Sequence, residues 1–296
     1  MSPSPPVPNS LCHMIKNGSI KLTESPRDAQ QGLNQIIAPE KRAAYINALL
    51  RAGFDVLDFG SFVSPKAVPQ MAQQDKVLEL VNKSGSSTKL MAIVGNLRGG
   101  LEAVSYEKVD ILGFPFSVSE TFLRRNINSD NQEALNTIDK LMPLCSESGK
   151  ALRIFMSMAY GNPYGDPWNV QLLCDCIAQL AEKGITVITL ADTIGIASPE
   201  QIGEVYAALT HHFPEHEFGL HIHTRKHEWK AKLEAAWSAG CRWYEGVLNG
   251  TGGCPMTGYE LVGNLNTLNL LDFLEEKNAV HHIDREALSR AIQTGY

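Results

Sequence analysis

Residues 184–223 read GITVITLADTIGIASPEQIGEVYAALTHHFPEHEFGLHIH. The stretch opens on one apolar, β-branched run, GITVITLAD (184–192), and closes on another, FGLHIH (218–223). Short runs of this kind, bounded by turn residues, predict strands. Between them SPEQIGEVYAALTHHF (198–213) spaces its apolar residues for a helix, with Ser198 as N-cap and Pro199 at the first helical position. Strand, helix and strand in this order predict two parallel strands joined by a crossover helix.

The same unit recurs outward along the chain. Strand runs are expected at 19–25, 54–60, 88–95, 109–116, 151–158 and 242–248 as well. PEKRAAYINALLRAG (39–53) and DPWNVQLLCDCIAQLAEKG (166–184) read as helices between them. Eight strand–helix units in 296 residues fit a closed (β/α)8 TIM barrel better than an open doubly wound sheet. No strand-to-helix turn carries the G-x-G-x-x-G of a dinucleotide site. Residues 258–275 predict a further helix after the eighth strand, and a short charged helix ends the chain. The expected organisation is a loose Pro- and Ser-rich leader over residues 1–18 and a single catalytic domain over 19–296.

Composition narrows the function. With 44% apolar and 20% charged residues the chain is an ordinary globular sequence, and a net charge of −6 gives no basic footprint for nucleic acid. No apolar run reaches the roughly 18 residues of a membrane helix, and the leader lacks a signal peptide's apolar core. Six cysteines without dense spacing predict reduced thiols in a cytoplasmic protein, and Cys174 and Cys176 would not face each other on a helix.

In a barrel of this kind the reactive groups sit at the carboxyl ends of the strands. Those positions hold Glu24, Arg27, Asp28 and Gln31 after strand one, Asp58 on strand two, Asp192 on strand six, His221 and His223 on strand seven, and Cys254 after strand eight. Side chains two apart on a strand share a face, so His221 and His223 aim together. A pair of this kind can simply be hydrogen-bonded in a core, but Asp28 on the same rim completes a two-imidazole, one-carboxylate set for a divalent cation. Asn264 could add an amide oxygen, favouring Mg²⁺ or Mn²⁺, while imidazole also suits Zn²⁺. Arg27 could stabilise a developing oxyanion or only bridge to a carboxylate. Cys254, in a glycine-rich loop, could donate a proton or serve as nucleophile.

Five motifs then resemble one family. SFVSPKAVPQM (61–71), RNIN (125–128), ADTIG (191–195), the histidine pair and GTGGCP (250–255) occur in the order found in 3-hydroxy-3-methylglutaryl-CoA lyases. The resemblance implies cleavage of that thioester, or a close 3-hydroxyacyl-CoA, to acetoacetate and acetyl-CoA. It further implies Asp28, His221, His223 and Asn264 as metal ligands, Arg27 on the enolate oxygen and Cys254 as proton donor. Asp192 and Gln31 would give polar support, and Asp58 stands where the family carries a glutamate. A small acyl-CoA substrate and a homodimer or higher homo-oligomer are expected. The chain departs from the family at Asn34, where a lysine is usual, at Thr224 for an acidic residue, at Asn162 for a cysteine, and by one extra residue between Cys254 and Asn264. Two alternatives stand beside this reading: an aldolase or 2-alkylmalate-type condensing enzyme acting on a keto acid, and a non-catalytic barrel.

Overall fold

In a computed structural model, residues 19–253, 257–258 and 262–295 are described. The expected leader over 1–18 lies outside them, as does Cys254. All eight expected strands form: β1 (Lys21–Glu24), β2 (Val56–Ser61), β3 (Lys89–Ile93), β4 (Ile111–Ser117), β5 (Ala151–Ser157), β6 (Val187–Asp192), β7 (Glu217–Ile222) and β8 (Trp243–Gly246). Each pairs in parallel with the next, and β8 pairs with β1 to close the barrel. Buried on both faces, these strands can be apolar throughout, which is why the sequence shows runs rather than alternation.

The helices are α1 (Pro26–Gln31), α2 (Pro39–Leu49), α3 (Gln74–Leu80), α4 (Leu97–Val104), α5 (Glu120–Ile127), α6 (Asn131–Glu147), α7 (Val170–Glu182), α8 (Pro199–His212), α9 (Trp229–Ser238), α10 (Thr267–Glu276) and α11 (Arg285–Thr294). Three of the expected helices differ in their bounds, and that expected over 39–53 ends at Leu49. The helix expected over 166–184 starts only at Val170, because the Asn169 side chain caps it by accepting from the Leu172 N–H at 2.8 Å. The helix expected over 258–275 starts at Thr267, capped by Asn266. Residues 262–266 extend instead, bridging Asn264 to His223 and Asn266 to Val247. α1 was not among the expected helices; Pro26 at its first turn presets a helical φ directly after β1.

The main core lies between the sheet and the helices, and a smaller cluster fills the barrel around Val56, Met91, Ile111, Phe155, Val187 and Trp243. Charges share that interior. Lys21 meets Glu217 at 2.7 Å, and Arg153 meets Glu245 at 2.6 Å with its guanidinium 3.9 Å from the centre of the Trp243 ring. Gly219 makes room for this: a Cβ there would stand 2.7 Å from Arg153 Nη2. Burial pushes the Glu24 carboxyl up to about 8, against hydrogen bonds from Thr267 Oγ1 and the Leu248 N–H. Glu24 thereby ties β1 to the chain beyond β8. Among the described residues, no helix is long and apolar enough to cross a membrane.

Candidate metal centre at the barrel mouth

Three chain segments meet at the carboxyl end of the barrel. α1 brings Arg27, Asp28 and Gln31, the end of β7 brings His221 and His223, and the extended stretch before α10 brings Asn264. Ligand atoms of Asp28, His221 and His223 all lie within 4.8 Å of one another, and all three residues are buried.

The second ring nitrogen of each histidine fixes what the first can do. His221 Nδ1 lies 3.1 Å from Glu245 Oε2, and His223 Nδ1 lies 2.9 Å from the Val262 carbonyl oxygen. Burial would raise Glu245, but Arg153, His221 and Thr189 outweigh it and leave the carboxyl below its ordinary value, hence ionised. A carboxylate and a carbonyl can only accept, so in neutral rings both protons sit on Nδ1. The two Nε2 lone pairs then face each other across 3.3 Å. Such an arrangement requires a cation or a shared proton between them. Burial pulls His221 down, yet Glu245 and Asp28 overcome it and raise its pKa, whereas burial and the charge of His221 lower that of His223.

Asp28 stays ionised in this setting. Burial works against its charge, but Arg27, His221, His223 and a hydrogen bond from Asn264 hold it below the usual carboxylate range. Its Oδ1 accepts from Arg27 Nη1 at 3.0 Å and Gln31 Nε2 at 2.7 Å, while Oδ2 accepts from Asn264 Nδ2 at 2.6 Å. Asn264 Nδ2 also donates to the Thr251 carbonyl, and its Oδ1 is buried without a hydrogen-bond partner. That orphaned oxygen is what a fourth oxygen ligand would leave behind. Gly252, at φ +95°, lies so close that a Cβ would stand 2.6 Å from the Asp28 carbonyl oxygen. Two imidazole nitrogens, a carboxylate and an amide oxygen therefore fit a divalent cation.

Arg27 is held from below. Asp58 Oδ2 accepts from both its Nε and Nη2, at 3.0 and 2.5 Å, and Gln31 Oε1 accepts from Nη1 at 2.9 Å. Burial raises the Asp58 carboxyl to about 6 despite Arg27 beside it. A register shift in the β2–β3 pairing lies between Asp58 and Gly60, a bulge of the kind that re-aims side chains near barrel rims. Asp192 is placed differently. Its carboxylate accepts from the Ile196 and Ala197 N–H groups and from Lys232 Nζ, organising the turn after β6 rather than facing the cavity. Glu24, although on the same rim, is spent on Leu248 and Thr267.

A cavity of about 1030 Å³, counting its open mouth, runs from these groups into the barrel rim. Arg27, Asp28, Gln31, His221 and His223 line one side, and Val63, Ile93, Pro115, Phe122, Ile127 and Phe155 line the other. Glu245, Arg153 and Lys232 were not singled out from sequence. Glu245 had a signal, the one carboxylate in the largely apolar run RWYEGVL (242–248).

Residues 20–294 match the family model described as HMGL-like. The chain is 30% identical over 266 residues to hydroxymethylglutaryl-CoA lyase of Bacillus subtilis, covering 90% of this chain and 88% of that one. It is 27% identical over 279 residues to (R)-citramalyl-CoA lyase of Chloroflexus aurantiacus, covering 90% and 86%. An HMG-CoA lyase from Acinetobacter baumannii, solved in complex with coenzyme A and 3-methylmalate, superposes with a TM-score of 0.86 at 26% identity, covering 94% of this chain and 90% of that one. These relatives are carbon–carbon lyases, which sets aside the non-catalytic barrel. The closed barrel, the motifs along it and the match over almost its whole length place this chain in the HMGL-like family, as a carbon–carbon lyase.

Proposed function

We propose that the protein is a divalent-metal-dependent lyase that cleaves 3-hydroxy-3-methylglutaryl-CoA, or a close 3-hydroxyacyl-CoA, by a retro-Claisen reaction to acetoacetate and acetyl-CoA. The observation that carries this reading is the convergence of the His221 and His223 Nε2 atoms, 3.3 Å apart, with a buried Asp28 whose ligand oxygen lies within 4.8 Å of both rings' ligand atoms, beside a guanidinium held by Asp58 and Gln31. Asp28, His221, His223 and Asn264 would hold the ion, with oxygen donors favouring Mg²⁺ or Mn²⁺ and imidazole admitting Zn²⁺. When bound, it supplies Lewis acidity toward the substrate's tertiary hydroxyl.

The chain's own residues then account for the rest. As the hydroxyl proton passes to water at the open mouth of the cavity, the adjacent carbon–carbon bond breaks, the ketone leaves, and the electron pair of that bond passes to the thioester as an enolate. Arg27 neutralises that oxygen; Asp58 and Gln31 keep its guanidinium from turning away, so little reorganisation is needed as charge develops. Cys254, outside the described residues, is assigned the proton that converts enolate to acetyl-CoA. The apolar wall of Val63, Ile93, Phe122 and Phe155 receives the methyl-bearing end and keeps water from the enolate.

The test is turnover with Mg²⁺ on a panel of 3-hydroxyacyl-CoAs, citramalyl-CoA among them, and of 4-hydroxy-2-keto acids, with and without chelator. Chelator-sensitive release of acetyl-CoA and a ketone from a thioester is the expected result. Cleavage of the keto acids alone would replace this reading with the aldolase.

A further inference from the structure

Lys232 is the one cation of α9 carried into the interior, with 3% of its surface exposed. Its ammonium has three protons, and three acceptors surround it: Asp192 Oδ2 at 3.0 Å, the Gly195 carbonyl at 3.2 Å and the His223 carbonyl at 3.2 Å. One point charge thus joins the end of β6, the turn after it and the backbone of a ligand histidine. The same turn is tied to that histidine a second time, since the Asp192 carbonyl accepts from the His223 N–H at 3.4 Å and from the Gly195 N–H at 3.1 Å. Packing leaves little slack: a Cβ on Gly195 would stand 3.1 Å from the His223 carbonyl oxygen and 2.9 Å from Val262. Val262 is the residue whose carbonyl fixes the His223 ring.

We propose that Lys232 is a positioning residue for the metal centre, setting the backbone of His223 so that its Nε2 meets that of His221. The inference rests on the proposed function only in taking His223 as a ligand. His223 lies just past the end of β7, where an isolated bridge to Asn264 and the bond to the Asp192 carbonyl hold the backbone, and Lys232 adds the hydrogen bond to the His223 carbonyl. Asp192 in turn holds Lys232 in place and makes its burial affordable.

Charge and position predict opposite signs here. By charge alone, removing a buried cation next to the site tightens binding of another cation. Loss of positioning weakens it. Mn²⁺ titration of the whole chain, followed by the paramagnetic signal of free ion, reads the difference. Lys232→Met is expected to raise the Kd for Mn²⁺ about tenfold or more, in the range seen when groups behind metal ligands are removed. Because Lys232→Met strands Asp192 as a buried charge, the same comparison is made between Asp192→Asn and Asp192→Asn/Lys232→Met, which avoids that penalty. A rise of the same size between those two, with the melting temperatures of the ion-free proteins alike, supports the inference. A smaller rise, no change or tighter binding overturns it. Wild-type protein that binds no Mn²⁺ overturns the proposed metal centre itself, and this inference with it.

Discussion

The two ends of the barrel interior hold buried charge in opposite ways. At the closed end each anion meets its own cation: Lys21 with Glu217 at 2.7 Å and, one layer up, Arg153 with Glu245 at 2.6 Å. At the mouth the acceptors outnumber the donors. Asp28 and Asp58 share the guanidinium of Arg27, two imidazole lone pairs face each other, and the Asn264 Oδ1 has no partner. Paired charge in a low-dielectric interior is a structural solution; lone pairs converging on one point call for a cation or a shared proton among them. The two ends are also joined, because Glu245 is paired below with Arg153 and above with His221. The ion pair at the closed side thus sets the tautomer at the open side.

This contrast can be broken from either end, and the largest effect is expected at the mouth. His223→Ala should reduce turnover at least about 1000-fold, as loss of several kcal/mol of metal assistance requires, with the melting temperature of the ion-free protein little changed. Normal turnover would remove the site from the chemistry.

At the closed end the cost should fall on stability instead. Lys21→Met leaves Glu217 as an uncompensated buried carboxylate and should destabilise the fold by about 3–5 kcal/mol in urea titration. Lys21→Met/Glu217→Leu should recover most of that loss. Neither change should alter Mn²⁺ affinity, because the Lys21–Glu217 pair lies one layer below that of Arg153 and Glu245; a shift in affinity would mean that the link through Arg153 and Glu245 extends to this layer as well.

Arg27→Lys sharpens the description of the mouth. The charge survives, but a lysine cannot keep the two-pronged hold of Asp58 and also reach Asp28 and Gln31. kcat should fall about 100-fold with little change in ion affinity. An equal fall in both would assign Arg27 to holding Asp28 rather than to the enolate.

The smallest effect concerns Glu24, at the boundary between the two regions. Its carboxyl titrates at about 8 in the folded chain, above its ordinary 4.5. Between those values the folded state keeps a proton that the unfolded state has lost, so stability falls as pH rises through that window. Glu24→Gln cannot ionise and should remove this part of the loss. Calorimetry at about pH 6 and about pH 9 should show a smaller drop in melting temperature for the variant, and an equal drop would refute the assignment.

How much of this was legible in the sequence follows from how local each signal is. Strands are announced by short apolar runs, so all eight were read, and α8 was read to within a residue at either end. The start of α10 was not, because the stretch before Thr267 is drawn out by bridges to His223 and Val247, partners far away in the chain. His221 and His223 stood out because polar groups ended an apolar strand, Asp28 because it followed strand one on the same rim, and the closed barrel brings the three together. Lys232 could not stand out. In KAKLEAAW it looks like any solvent-facing lysine of an amphipathic helix, and only the turn of residues 192–195 folding over it makes it interior. Arg153 is likewise hidden, since its room depends on the absence of a side chain at Gly219 on another strand.

The central claim, that the mouth gathers its lone pairs around one cation, is tested most directly by anomalous scattering from crystals grown with Mn²⁺. The account predicts a single strong peak per chain at roughly 2 Å from the Nε2 atoms of His221 and His223 and from an Asp28 carboxylate oxygen. A map with no peak between the two imidazoles, or with manganese bound only elsewhere, would contradict it.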